Sequence, residues 1–294
     1  SLDPVTDEWK PTVVLLRFNR AATCCKWSPR ENKFAVGGGG KVVSVCSFKK
    51  ENNWWVAKMI EKPHKSTILS VAWHPTDNSI LATASSDFKC RIFNAWMKFD
   101  DAPAKGEFGD LTSEFMSQGW VHDVQFSPNG STLAFLGHDS TVAFVDVSNG
   151  NNGSEPQSVK SPELPFMSGL FLSESAFVAV GYDFSPVLFS KDPSTGEWAL
   201  IGKADEGDLT GGQAGRSNSV RDAFAKFQTA SKFGSSAGAT SSTSQKRHTN
   251  TINCIKEFET KNGAVTKFTT SGIDGRVVLW KVEDLVKKFG NFRV

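Results

Sequence analysis

The chain has 294 residues, 39% of them hydrophobic and 11% aromatic, which is the composition of an ordinary globular protein with a large core. Its 33 basic and 31 acidic residues leave a net charge of +2, so no strong field favours nucleic acid or an anionic membrane as a partner. No apolar run is long enough to cross a bilayer, no signal peptide is evident, and the five cysteines, an odd number without metal-clip spacing, indicate reduced thiols in the cytosol.

The first predicted element is one outer strand within residues 8–19, and no repeat precedes it to supply neighbouring strands. Ser1 stands where an initiating Met is expected. These two observations predict that the chain is a fragment whose coding sequence begins further upstream.

Four later turns share one frame, in which small residues lead into an Asp and an apolar strand follows. The frame recurs around Asp87, Asp139, Asp183 and Asp274, at steps of 52, 44 and 91 residues. The last step is one repeat plus an insertion. A fifth frame lies 47 residues before Asp87, with Gly40 in place of the Asp.

The first strand of three repeats carries a second signature, an aromatic residue followed by Ser-Pro or His-Pro at 27–29, 73–75 and 126–128. Because proline cannot donate to a sheet ladder, each strand must end there. Both signatures together are typical of WD repeats. They predict an all-β fold, a WD-repeat β-propeller with five complete blades, and rings of this kind use about 4 to 8 blades.

The predicted organisation is a single propeller domain over residues 1–294. Its parts are an orphan strand of a preceding blade at 8–19, blades at 20–62, 63–96, 120–163, 164–202 and 248–282, a surface insertion at 97–119, a flexible Gly- and Ser-rich insertion at 203–247, and a C-terminal tail at 283–294 that forms one short helix.

Candidate site residues in the blades are interpreted as structural. His64 and His248 lie where a WD repeat places a hydrogen-bonding His, so we expect them to pair with Asp87 and Asp274 rather than to act in catalysis. Trp280 is expected to shield such a pair from water. Asp139 and Asp183 are assigned the same structural place in their own blades.

Two other motifs are discounted as catalytic or ligand sites. His122 beside Asp123 suggests acid–base chemistry, but strand alternation puts the two side chains on opposite sides. The glycine run 37–40 suggests a phosphate loop, but no Lys-Ser/Thr pair or helix follows it. We expect no metal and no cofactor.

The insertion at 203–247 contains one segment that blade building does not explain, a predicted amphipathic helix at about 219–233. Val220, Phe224 and Phe227 fall at i, i+4 and i+7, which is the spacing of one helical face. A short helix with flexible arms has no core of its own, so this face docks either on the propeller or on a partner. Its sequence distance from the neighbouring blades favours a partner.

Blocks along nearly the whole chain resemble the family of actin-related protein 2/3 complex subunit 1, and they are more particular than the WD-repeat consensus. The blocks are 9–12, 17–23, 26–29, 31–37, 88–91, 119–122, 138–142 and 270–275.

This resemblance implies a seven-bladed propeller, of which about two N-terminal blades are missing here. It implies a non-catalytic scaffold of an actin-nucleating complex that forms branched filaments. The implied partners are actin-related protein 2, other subunits of the complex, nucleation-promoting factors and the side of the mother actin filament.

The family carries a protruding helix in the insertion of its penultimate blade, which implies an actin-binding role for residues 219–233. Val220, Phe224 and Phe227 would then supply buried contact, and Arg221 and Lys226 would face acidic partner groups.

Two other function classes stay open. A generic WD-repeat adaptor, such as a ubiquitin-ligase substrate receptor, shares the blades but does not need the insertion or the blocks above. A propeller enzyme needs convergent carboxylates or metal ligands at the central channel, and five scattered His do not assemble such a set.

Overall fold

The computed structural model of this protein describes residues 6–8, 11–98, 101, 106–148, 154–205 and 246–294. These residues form five antiparallel sheets that follow one another along the chain, and within each sheet every strand pairs with its neighbours in sequence. Such a topology requires only hairpin connections inside a sheet.

Each sheet is built from consecutive strands. The first contains β1 (Ala22–Trp27), β2 (Lys33–Gly38), β3 (Val43–Lys49) and β4 (Trp54–Ile60), with a 3-10 helix at Lys50–Asn52. The second contains β5 (Ile68–Trp73), β6 (Ile80–Ser85), β7 (Lys89–Asn94) and β8 (Leu111–Met116). The third contains β9 (Val121–Phe126), β10 (Thr132–Gly137), β11 (Thr141–Asp146) and β12 (Gln157–Lys160).

The fourth sheet contains β13 (Phe166–Phe171), β14 (Ala176–Gly181), β15 (Val187–Lys191) and β16 (Trp198–Lys203). In the described residues the fifth sheet has three strands, β17 (Ile252–Lys261), β18 (Ala264–Gly272) and β19 (Val277–Lys281). The helix α1 (Val282–Lys288) follows β19 directly.

The core lies between consecutive sheets rather than inside any one of them. Strands β2, β10 and β14 are buried along their whole length, because a neighbouring sheet covers each face. One apolar cluster joins Ala84 and Ile92 of the second sheet to Phe135 of the third, and similar clusters join the other consecutive pairs. This arrangement, with the family match reported below, confirms the predicted all-β propeller fold.

The first strands of the sheets line a central channel. A cavity of about 540 Å³ is lined by one or more residues from the first strand of every sheet, among them Lys26, Ala72, Gln125, Gly169 and Ile255. The channel is therefore formed by the innermost strand of every sheet.

A β-bulge recurs at the same place in all five sheets. The pairing of the first strand with the second shifts register between Ala22 and Cys24, and at the corresponding position of every later sheet. Bulges of this kind bend a strand and redirect a side chain. The period-2 pattern of the sequence contains no signal for this extra residue.

The predicted strand at 8–19 is wrong for the part that the structure describes. Residues 11–18 form no strand there, although Val14, Leu16 and Phe18 pack on the first sheet. Val13 and Leu15 point outward and are 71% and 59% exposed. The alternation of apolar residues at 13–18 thus produces a face that packs on side chains of the first sheet, although these residues are not hydrogen-bonded into a sheet.

The predicted surface insertion at 97–119 is also wrong in part, because it contains the outer strand β8. Arg91 of β7 pairs with Glu114 of β8, and Ser113 and Phe115 face inward. The sequence of β8 shows no apolar alternation, because polar residues occupy three of its six positions and one of them, Ser113, faces inward.

Residues 206–245, including the predicted helix at 219–233, lie outside the described residues. The predicted helix of the C-terminal tail is confirmed as α1.

Candidate functional site

The candidate site residues of the sheets lie at equivalent corners. In each of the last four sheets, the first residue of the first strand pairs with a residue near the end of the second strand. The corner aspartate stands two positions after that partner, as Asp87, Asp139, Asp183 and Asp274 in turn. Gly40 occupies the same position in the first sheet. The repeated frame of the sequence therefore corresponds to one repeated place in the fold.

The corner of the fifth sheet holds a complete chain of hydrogen bonds. Trp280 Nε1 donates to Thr270 Oγ1 over 2.8 Å, Thr270 Oγ1 lies 2.8 Å from His248 Nε2, and His248 Nδ1 lies 3.1 Å from Asp274 Oδ2. An ionised carboxylate only accepts, so Nδ1 carries a proton and donates a hydrogen bond to Asp274, while Nε2 forms the hydrogen bond to the Thr270 hydroxyl. Every polar group of this buried corner is thereby satisfied.

Asp274 is held ionised by its surroundings. Burial opposes the charge, but the backbone N–H groups of Thr249 and Arg276 and the ring of His248 outweigh it and lower the pKa of Asp274 to about 2. The carboxylate is thus a fixed structural acceptor.

The corner of the second sheet differs from the predicted His64–Asp87 pair. His64 Nε2 lies 3.2 Å from Thr83 Oγ1, but His64 Nδ1 is buried without a hydrogen-bond partner. Phe93 stacks on the His64 ring, with centroids 5.1 Å apart, where Trp280 stands in the fifth sheet. The prediction of a His64–Asp87 hydrogen bond is therefore wrong.

Arg91 takes the place of the histidine at Asp87. Its NH1 group lies 3.0 and 2.9 Å from the two carboxylate oxygens of Asp87, and its Nε lies 2.8 Å from Glu114 Oε2. The Arg91 side chain is only 1% exposed. Burial opposes the charge of Asp87, but the N–H of Lys65 and this guanidinium outweigh it and lower the pKa of Asp87. The sequence pattern does not single out Arg91, because the spacing of apolar residues in a strand carries no signal for a buried charge.

The other two corners carry an Asp without a histidine. Asp183 accepts from the N–H of Leu164 over 3.3 Å and lies 3.6 Å from the ammonium of Lys203. Asp139 Oδ2 accepts from Thr141 Oγ1 over 2.8 Å, while Asp139 Oδ1 is buried with no partner.

His122 and Asp123 are separated by the bulge of the third sheet. His122 Nε2 lies 2.7 Å from Nδ1 of the exposed His138. Burial and the neighbouring His138 lower the pKa of His122. The two residues therefore do not form a catalytic pair with each other.

Asp123 instead joins three sheets. It accepts from Ser70 Oγ of β5 over 2.6 Å and from the N–H of Gly169 of β13 over 2.9 Å. Its own strand belongs to the sheet between them, and the residue is 6% exposed. Local sequence does not indicate this role, because the partners of Asp123 lie about 50 residues away on either side.

The glycine run packs sheets and does not form an anion loop. A Cβ on Gly37 would lie 2.6 Å from Cys24 Sγ and 2.7 Å from Cγ2 of Ile68. Gly37 therefore permits the close contact between the first and second sheets.

The described residues contain no cluster of three or more His, Cys, Asp or Glu side chains able to hold a metal ion. None of their helices has the length and apolar character to cross a membrane.

Comparison with known proteins gives consistent matches. The sequence profile of the WD domain, G-beta repeat, matches residues 57–94. The chain is 42% identical to actin-related protein 2/3 complex subunit 1A of Arabidopsis thaliana, over 97% of this chain and 76% of that protein. It is 40% identical to subunit 1A-B of the same complex from Xenopus laevis, over 97% of this chain and 77% of the relative. Subunit 1 of Schizosaccharomyces pombe is 40% identical over 92% of this chain and 76% of its own length.

Proposed function

Because this chain belongs to the family of actin-related protein 2/3 complex subunit 1, we propose that it is a non-catalytic scaffold subunit of an actin-related protein 2/3 complex. In this role it supports the nucleation of branched actin filaments. The observation that carries the proposal is the 42% identity over 97% of the chain, which covers all five sheets.

The proposed partners inside the complex are actin-related protein 2 and the other subunits. Exposed apolar side chains at the corner side of the sheets support such contacts. Phe88, Trp120 and Leu164 are 45%, 50% and 55% exposed, and all three lie beside corner aspartates or the starts of first strands. Aromatic residues such as Phe88 and Trp120 are enriched at protein–protein interfaces.

We further propose that the segment 219–233 contacts the mother filament. Val220, Phe224 and Phe227 would form the buried contact, and Arg221 and Lys226 would meet acidic groups of the partner. The support is the spacing of the apolar residues in the sequence, since this segment lies outside the described residues. Nucleation-promoting factors are proposed as further partners of the subunit.

The proposed role needs no cofactor, nucleic acid or membrane insertion. We place the protein in the cytoplasm, with the actin cytoskeleton. The near-neutral charge balance of 33 basic and 31 acidic residues supports a protein partner rather than a polyanion.

Affinity purification followed by mass spectrometry tests the proposal. The tagged chain, expressed in its own cells, is expected to recover actin-related proteins 2 and 3 with the remaining subunits in equal amounts. The tag alone serves as the control. Recovery of cullin-type ligase subunits without actin-related proteins would instead favour a substrate receptor.

A further inference from the structure

The corner of the third sheet has the acceptor of the other corners but lacks the group that satisfies it. In the fifth sheet, His248 stands four residues before the start of β17 and bonds to Asp274. The residue four positions before the start of β9 is Ser117. Its side chain is too short to replace an imidazole ring.

The geometry around two glycines shows that Ser117 lies where the histidine ring begins. A Cβ on Gly272 would lie 2.7 Å from Asp274 Oδ1 and 3.0 Å from His248 Nδ1. A Cβ on the equivalent Gly137 would lie 2.2 Å from Asp139 Oδ1 and 2.7 Å from Ser117 Oγ. The two corners therefore have the same arrangement, except that the corner of the third sheet lacks the imidazole ring.

A cavity of about 300 Å³ opens at this place, between the second and third sheets. Its walls are partly apolar, from Met116, Phe135 and Ala143. Asp139 lines it and carries the oxygen Oδ1, which is buried without a partner in the described structure. A buried carboxylate oxygen without a donor is costly, so the site favours a ligand that brings one.

The chemistry of the walls selects the kind of ligand. A single carboxylate with one oxygen that has no donor accepts N–H groups from a cation, and the matching space in the fifth sheet holds a planar ring with an N–H group. The apolar walls suit a hydrocarbon stem behind the charged head. Arginine combines a planar, permanently charged donor fork with such a stem. Lys160 lines the cavity from an exposed position, so its ammonium remains in water at the rim.

We propose that the cavity between the second and third sheets is a binding site for an arginine side chain of a partner protein, with Asp139 as its acceptor. Ser117 and Thr141 line the same pocket and position the guanidinium. The proposal concerns the chain itself and does not depend on the function proposed above.

Ethylguanidinium chloride is the probe that tests the site. Titrated into the purified full chain, it is expected to shift the NMR signals of residues 117, 139 and 141. Asp139→Asn should weaken its binding about ten- to a hundredfold, as expected for loss of a charged hydrogen bond. Asp146→Asn, which changes an exposed carboxylate of the same sheet, is the matched control and should leave the binding constant unchanged.

Ser117→His provides a second variant that does not remove the carboxylate. Its ring would occupy the space beside Asp139, as His248 does beside Asp274, and should prevent probe binding while the circular dichroism spectrum stays that of the folded chain. Equal probe affinity in the native chain, Asp139→Asn and Ser117→His would overturn the proposed site. A shift that Asp146→Asn abolishes equally would identify only adventitious binding of an additive and would overturn it as well.

The nature of the occupant is tested in the assembled protein. A photo-crosslinking amino acid at Gln118, which also lines the cavity, should crosslink to an arginine-containing peptide of another chain. Crosslinks confined to this chain, or to peptides without arginine, would show that no partner arginine enters.

Discussion

At the scale of single residues, the corners of the sheets share a position but not a chemistry. In the fifth sheet, one chain of hydrogen bonds links Trp280, Thr270, His248 and Asp274. In the second sheet, His64 Nδ1 has no hydrogen-bond partner and Asp87 is bonded by Arg91 instead. The same residue types in the sequence therefore contribute different amounts to stability.

His248→Ala is expected to destabilise the protein by about 2 to 4 kcal/mol, because it opens a hole and leaves buried hydrogen-bonding groups unsatisfied. His64→Ala should cost about 1 kcal/mol less, since only one nitrogen of His64 is bonded. Urea unfolding of the two variants measures the difference. Equal losses would show that the unpaired nitrogen is irrelevant.

His64 should also make stability depend on pH. Burial, followed by the charge of Arg91, lowers its pKa from 6.5 to about 4. Between these values the unfolded chain binds the proton and the folded one does not, so the stability present above pH 6.5 is lost as the pH falls toward 4. The loss from this residue is at most about 3 kcal/mol.

His64→Gln retains a hydrogen-bonding side chain for Thr83 but cannot titrate, so it isolates this effect. Urea unfolding of both proteins between pH 7 and pH 5 is the measurement. The native chain should lose more stability over this range than the variant. Parallel curves for the two proteins would contradict the assignment.

At the scale of elements, a buried ion pair ties the connection after β7 to the first sheet. Lys33 of β2 is 0% exposed, and its ammonium lies 2.5 Å from Asp101 Oδ2 and 2.9 Å from the carbonyl oxygen of Ala95. Asn78 Nδ2 donates to Asp101 Oδ1, and the N–H of Met97 donates to Oδ2. This pair holds the connection after β7 against the first sheet, together with the apolar packing of Ala95 and Met97.

Asp101→Ala is expected to destabilise the protein by about 3 to 5 kcal/mol, because it leaves the Lys33 ammonium buried without its counter-charge. The double variant Lys33→Met with Asp101→Leu should cost much less, since it removes both charges together. Thermal unfolding compares the two, with Asp77→Ala on the exposed turn before Ser79 as a control. A double variant as unstable as Asp101→Ala would show that the charge is not the cause.

Phe224→Ala is expected to reduce the number of branches per filament length several-fold, because it removes the central residue of the proposed contact stripe. Branch counting by fluorescence microscopy measures this with the assembled complex. Thr229→Ala, on the opposite side of the predicted helix, is the matched control. Normal branching by a stable Phe224→Ala complex would exclude the segment from filament binding.

The sequence predicted elements that repeat and missed those that depend on distant partners. The spacing of Asp87, Asp139 and the later aspartates located the corners, because each turn is specified by its own neighbours in sequence. Other features depend on groups that meet only after folding. They are the hydrogen bonds from Arg91 to Asp87, the contacts of Asp123 with three sheets, and the pairing of β8. Local patterns carry no signal for such contacts.

At the scale of the whole molecule, the sheets form a series in which each shares its core with the next. Apolar clusters join the first sheet to the second, the second to the third, the third to the fourth and the fourth to the fifth. The stability of such an arrangement is the sum of contributions from the individual sheets and from the apolar contacts between neighbouring sheets. A substitution in the contact between two sheets should therefore weaken those two sheets first.

One carboxylate changes how this series would respond to mechanical load. Asp123 holds the second, third and fourth sheets at a single point near the channel, through Ser70 and Gly169. If the chain is stretched by its ends, the outer two sheets should peel away at low force and the middle three should rupture together at a higher one. The strongest part of the chain under load would then be these middle three sheets, which one aspartate joins.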